Sequence, residues 1–132
     1  VGCRSSVTAA AYGVRVVSDR HRKELGRCGE GVAAAFLRRR GFTLIGRTVR
    51  VGKDELDIVA RRGSVTVVAE VKTGTGRSDP IESIDDEKLA NILRAIDRLG
   101  LHGARVDGIA VEVSRRVVQV RWFEGVATGH WR

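Results

Sequence analysis

The apolar positions of the chain fall into two helical stripes separated by strand-like runs. From Asp19 to Arg40, Leu25, Cys28, Gly29, Val32, Ala35 and Phe36 recur with helical spacing and predict a first amphipathic helix. Asp19 suits its N-cap. Arg38, Arg39 and Arg40 complement the C-terminal end of the helix dipole, and Gly41 can take the left-handed conformation that stops it. Cys28, lying on the stripe, reads as a small core residue. Three strands are then predicted: Phe42 to Val51, Glu55 to Arg61, and Val65 to Lys72. The short break Arg62-Gly63-Ser64 makes the last two a hairpin. A Gly-rich connection from Thr73 to Asp79 leads to a second helix, about Ser83 to Leu99. Its buried face is Leu89, Ile92, Leu93, Ile96 and Leu99, and Ser83-x-x-Asp86 approximates a capping box. Two more strands, Arg105 to Val113 and Arg116 to Phe123, complete the order α-β-β-β-α-β-β, with Arg115-Arg116 at a charged turn between them. This order packs naturally as an α/β (α+β) mixed five-stranded sheet flanked by helices.

Composition bounds this picture. The chain has 132 residues, 42% of them hydrophobic, which suits one core rather than two. No apolar run approaches the roughly 20 residues of a membrane span. Residues 1–18 lack a strong signal-peptide core and read as a loosely packed extension. A single domain is expected over 19–128, followed by a short tail at 129–132. Cys3 and Cys28 are the only cysteines, too few for a disulfide framework or a four-ligand zinc site, and a reducing cytoplasmic setting fits. His21, His102 and His130 have no metal-ligand spacing. The net charge of +8 points to a polyanionic partner, with nucleic acid the first candidate.

The chemistry concentrates on the second and third strands. Side chains alternate along a strand, so Glu55 and Asp57 share one face, as do Glu70 and Lys72. Leu56, Ile58 and Ala60, with Val67, Ala69 and Val71, occupy the other faces. If Gly63-Ser64 is a two-residue turn, Asp57 lies opposite Glu70 and Glu55 opposite Lys72. If Arg62-Gly63 is the turn, Glu55 lies opposite Glu70. Either register sets all four charges on one face and opposes two carboxylates, an unfavourable pairing without a cation. Oxygen ligands suit Mg2+ or Mn2+, and Lys72 can reach a scissile phosphate or an attacking water. A mixed-charge solvent face accounts for any one of these residues; the four together point to a metal site.

Several stretches carry a resemblance. Leu25-Gly-Arg-Cys-Gly-Glu30 with Ala34 and Leu37, Arg47-Thr-Val-Arg50, Asp54-Glu-Leu-Asp-Ile-Val-Ala60, Val68-Ala-Glu-Val-Lys72, Pro80-Ile-Glu82 and Lys88 resemble the YraN-like family of small bacterial predicted endonucleases. That family is similar in fold to archaeal Holliday junction resolvases, within the PD-(D/E)xK nuclease superfamily. The resemblance covers roughly Asp19 to Thr128 and implies a restriction-endonuclease-like fold. It implies that Asp57 and Glu70 bind metal with the Val71 carbonyl, that Lys72 positions the nucleophilic water, and that Glu30 is an outer ligand. It places Lys88 at the site edge and Arg50 among the nucleic-acid contacts. Asp54 departs from the family's usual Gly, Thr48 from its usual Asn, and Thr73-Gly-Thr-Gly76 from a more basic stretch.

Gly74-Thr-Gly76 lacks the Gly-Lys-Ser/Thr ending of a phosphate-binding P-loop, but Arg77 beside it can contact backbone phosphates. Trp122 or Phe123 suits a core or a dimer interface. The expected function is metal-dependent hydrolysis of DNA phosphodiesters, DNA rather than RNA and with branched DNA among the candidates, by one or two metals. The resolvase resemblance implies a homodimer with two sites. The alternatives are a non-catalytic basic nucleic-acid-binding protein with a vestigial metal site, or an assembly scaffold.

Overall fold

The computed structural model describes residues 6–8, 22–74, 84–113 and 118–126. The predicted order of five strands and two helices holds over these residues, within a six-stranded mixed sheet covered on both faces. The elements are α1 (Arg22–Arg39), β2 (Thr43–Val51), β3 (Asp54–Arg62), β4 (Val65–Gly74), α2 (Asp86–Arg98), β5 (Arg105–Val113) and β6 (Val118–Phe123). A short strand precedes them, β1 (Ser6–Thr8), and pairs antiparallel with β6 at one edge. The sheet order is β1-β6-β5-β4-β3-β2, with β4 and β5 parallel and the other neighbours antiparallel. Thus a strand lies inside the stretch read as a loose extension. Asp19, Arg77, Pro80, Glu82, Ser83, Arg115, Arg116, His21 and His130 lie outside the described residues. No described helix is long and apolar enough to cross a membrane.

Both helices end through left-handed glycines, Gly41 as the sequence predicts. Gly41 has φ +89°, and Phe42 N donates to Leu37 O while Gly41 N donates to Arg38 O. Gly100 repeats the arrangement after α2, with Leu101 N to Ile96 O and Gly100 N to Asp97 O. This pair of bonds satisfies carbonyls the helix leaves open. The start of α2 differs from expectation. Asp85, not Ser83, is the cap, its carboxylate accepting from Lys88 N at 2.9 Å. Ile84 before the cap and Leu89 after it are buried in the same cluster, an arrangement that fixes the entry of the chain.

Two apolar layers sandwich the sheet. On the α1 side, Ala33, Ala34, Phe36 and Leu37 pack over Ile58, Ala60, Val67, Ala69, Val71, Ile109 and Trp122. On the α2 side, Leu89, Ile92, Ala95 and Ile96 pack over Leu56, Val59, Val68 and Val106. Each helix is rotated from its predicted face. Cys28 and Ala35 are exposed, and so are Leu93 and Leu99. The run Val32-Ala-Ala-Ala-Phe-Leu37 is apolar throughout, so periodicity could not choose its face. Contact with the sheet does: a Cβ on Gly29 would collide with Thr73 Oγ1. That glycine lets α1 approach β4. Trp122 is core, with Phe36 and Phe42 edge-on to its ring at 5.7 and 6.2 Å.

Candidate functional site

The β3–β4 hairpin takes the first of the two registers. Arg62 pairs with Val65 and Ile58 with Ala69. Gly63 has φ +61° and Ser64 is not left-handed, as a two-residue II′ turn requires. Continuing the register one residue sets Asp57 opposite Glu70. There the ladder stops. Val71, beyond the last pair with β3, donates its N–H to Asp57 Oδ2 at 2.8 Å. A carboxylate thus replaces a backbone carbonyl between two parting strands.

The side-chain faces do not follow simple alternation. Arg47 pairs with Ile58, which faces α1; Val49 pairs with Leu56, which faces α2. Pairs two residues apart should share a face, so both strands turn over between them. The residues between are Thr48 and Asp57. Thr48 has φ +50°, the only left-handed non-glycine among the described residues. A β-branched residue is a genuine outlier there. The turnover corrects the prediction that Leu56 shares a face with Ile58 and Ala60. It also separates Glu55 from Glu70. Glu55 faces the α1 side, where it pairs with Arg50 at 3.6 Å and approaches Glu30.

Asp57 and Glu70 are both buried, Glu70 only 2% exposed. Lys72 Nζ and Lys88 Nζ each lie 3.4 Å from Glu70 Oε2. Glu70 Oε1 is buried without a hydrogen-bond partner. Burial, and then the neighbouring Asp57, push the Glu70 carboxyl up to about 7. Burial also raises Asp57, against the pull of the Val71 N–H, Lys88 and a hydrogen bond with Glu70. Two carboxyls this close and this dry share a proton readily. Glu30 comes in from α1; burial and then Asp57 raise its carboxyl, and Thr48 hydrogen-bonds to it. Among the described residues no three Asp, Glu, His or Cys side chains form a metal cluster on their own. Glu30 and Glu55 therefore flank the Asp57–Glu70 pair rather than joining it.

Lys88 enters the site more fully than its predicted edge position, because the first turn of α2 sits over β4. Asp54 explains its departure from the expected glycine. Its carboxylate receives Arg94 Nε and Nη2 at 2.9 Å each, and that guanidinium holds it below the usual aspartate range. The bidentate pair ties α2 to the start of β3 and so keeps Lys88 over Glu70. Nothing in the local sequence pairs Asp54 with a residue 40 positions away.

Thr48 yields a direct prediction. Asn tolerates the left-handed region and keeps a polar group for Glu30, so Thr48→Asn should stabilise the protein by about 1 kcal/mol. A denaturant midpoint that falls in this variant would show that the β-branched side chain is preferred in its place.

The family model described as "Uncharacterised protein family UPF0102" matches residues 29–111, more than half of the chain. The chain belongs to the UPF0102 family. The matched span holds Glu30, Asp57, Glu70, Lys72 and Lys88. A UPF0102 protein of Syntrophotalea carbinolica is 39% identical over 112 residues, covering 79% of this chain and 91% of that protein. One from Thermotoga neapolitana is 41% identical over 90 residues, covering 64% of this chain and 84% of its own length. A Leifsonia xyli member is 49% identical over 73 residues, covering 54% of this chain and 62% of that protein. The UPF0102 match begins in α1 and ends in β5, so it takes in every element around the site.

Proposed function

We propose that this UPF0102 protein is a metal-dependent endonuclease acting on DNA. One observation carries the reading: buried Asp57 and Glu70 meet across parting strands, with Glu70 Oε1 left unpartnered and two lysines alongside. A buried carboxylate oxygen without a donor costs stability unless a cation satisfies it. The donor set is all oxygen, which suits Mg2+ or Mn2+.

Asp57 and Glu70 would hold that ion, together with the Val71 carbonyl. When bound, the ion would supply Lewis-acid polarisation of a phosphoryl oxygen and acidify a water. Lys72 would orient the attacking water and stabilise the charge that grows on the phosphorane-like transition state. Lys88, released from Glu70 once a cation is present, can donate to a phosphate oxygen. Glu30 would reach the site through water, held by Thr48.

The test is direct. Purified protein with Mg2+ or Mn2+ should cut at least one of single-stranded, duplex, flap and four-way DNA. Glu70→Ala and Lys72→Ala should each lower the rate by about 100-fold or more. Cleavage that survives Glu70→Ala would remove the site assignment. Salt-sensitive binding without cleavage under either metal would favour a non-catalytic nucleic-acid-binding protein.

A further inference from the structure

The positive charge of the chain is concentrated in one part of the fold. Residues 31–53 and 58–69 contain eight Lys and Arg and no Asp or Glu, an excess equal to the net charge of +8 for the whole chain. Within them Arg50 reaches Glu55 at 3.6 Å; elsewhere cations stand closer to carboxylates, Arg94 to Asp54, Arg105 to Asp107 and Glu124, and Arg121 to Glu112. The acid-free segments meet where the end of α1 reaches the hairpin end of β3. Arg62 Nη1 donates to Arg40 O at 2.8 Å.

Two of these guanidiniums lie over aromatic rings. Arg62 lies 4.5 Å over Phe42 and Arg40 lies 4.8 Å over Phe36. Both arginines are exposed, as are Arg38, Arg39 and Arg47. These contacts, with the Arg62 bond to Arg40 O, restrain the guanidiniums before a ligand arrives, so less side-chain entropy is lost on binding. Arg47 lies on β2 opposite Ile58, one residue beyond Asp57 towards this end. Arg40 and Arg62 are about 15–17 Å from Glu30 and Asp57, from the helix rise and the strand rise.

We propose that Arg47, Arg62 and the Arg38–Arg40 turn form a rail for the phosphate backbone of duplex nucleic acid, leading away from the site. The inference deepens the nuclease reading and rests on it for the position of the cut. A planar guanidinium suits paired phosphate oxygens, and the segments that carry the rail contain no Asp or Glu of their own, Glu30 standing near Arg47 at the site end. At 3.4 Å per base pair, its length corresponds to about five base pairs of duplex on one side of the scissile bond.

Binding and cutting are measured separately. Anisotropy with a 20-base-pair duplex in EDTA, titrated from about 50 to 200 mM salt, should give a steep salt dependence. Arg38→Gln, at an exposed position with no packing role, should reduce the slope of log affinity against log salt by about 1. Arg38→Gln with Arg62→Gln should reduce it by about 2 and weaken binding about 10-fold or more. Arg62→Lys keeps the charge without the planar fork, so it should keep the slope and lose some affinity. Arg98→Gln, on the α2 side, should leave the slope unchanged. Equal losses from Arg98→Gln and Arg38→Gln would overturn the rail, as would a wild-type slope in the double variant. Tight binding by the wild type, weakened in the double variant, with no cleavage under any metal would retain the rail and discard the nuclease. Where cleavage occurs, substrates with fewer than about five base pairs on one side should be cut more slowly; indifference to flank length on both sides would overturn the rail and leave the site intact.

Discussion

Replacing Asp107 by alanine is expected to cost about 3–5 kcal/mol, a large share of the stability of a domain this size. Asp107 is fully buried on β5. Its two oxygens accept Arg105 Nε and Nη2 at 2.8 and 2.9 Å, Trp122 Nε1 at 2.9 Å and Gly125 N at 3.0 Å. These bonds tie β5, β6 and the turn after β6 into one unit. Alanine would leave the buried indole N–H without its acceptor, take one from the Gly125 N–H, and leave a half-buried guanidinium with Glu124, 3.1 Å away, as its remaining carboxylate among the described residues. Such orphaned donors carry the desolvation penalty in full. Asp107→Asn keeps one acceptor oxygen and should cost less. Chemical denaturation measures both; a loss below about 1 kcal/mol for alanine would mean that water replaces the network readily.

Metal-free protein should lose stability as pH rises from about 4.5 to about 7, and Glu70→Gln should remove most of that loss. In the folded chain the Glu70 carboxyl keeps its proton until about 7, against an ordinary value of 4.5. Between those values the folded state binds more protons than the unfolded one, so raising the pH favours unfolding. The stabilisation is complete below the ordinary value and is gone once the pH passes the folded one. The shift corresponds to a loss on the order of 3 kcal/mol. Asp57 and Glu30, also raised, act with the same sign. Gln has no charge to bury, so its stability curve should be flatter. Thermal melts in EDTA across this range decide the point, and a flat wild-type curve would mean that Lys72 and Lys88 already offset the buried charge. If the pair holds a divalent ion, Mn2+ at pH 8 should raise the melting temperature of the wild type far more than that of Glu70→Gln.

Both predictions concern buried carboxylates, and they differ in what they have for company. Asp107 has a donor for each oxygen and reads as structure. Glu70 shares one oxygen between two lysines and leaves the other bare. Full satisfaction marks a network that specifies the fold; the orphaned acceptor is where the proposed cation would bind.

The sequence by itself determined seven of the elements and their order, and narrowed the central pair to two registers. Helix and strand periodicities are short-range, and so are the glycine signals that end α1 and turn the β3–β4 hairpin. Once Gly63-Ser64 makes the turn, counting along two strands opposes Asp57 to Glu70. Tertiary structure alone decided the rest. Alternation is a rule for regular backbone, and it fails at Thr48, whose left-handed φ accompanies the turnover that sends Glu55 to the α1 side. The helix faces depended on how closely Gly29 lets α1 settle on Thr73. Lys88 over Glu70, Arg94 on Asp54 and the four bonds to Asp107 join residues that no local pattern relates. Their pairing is set by how the layers pack, because a charge buried by packing must find its partner wherever the fold puts one.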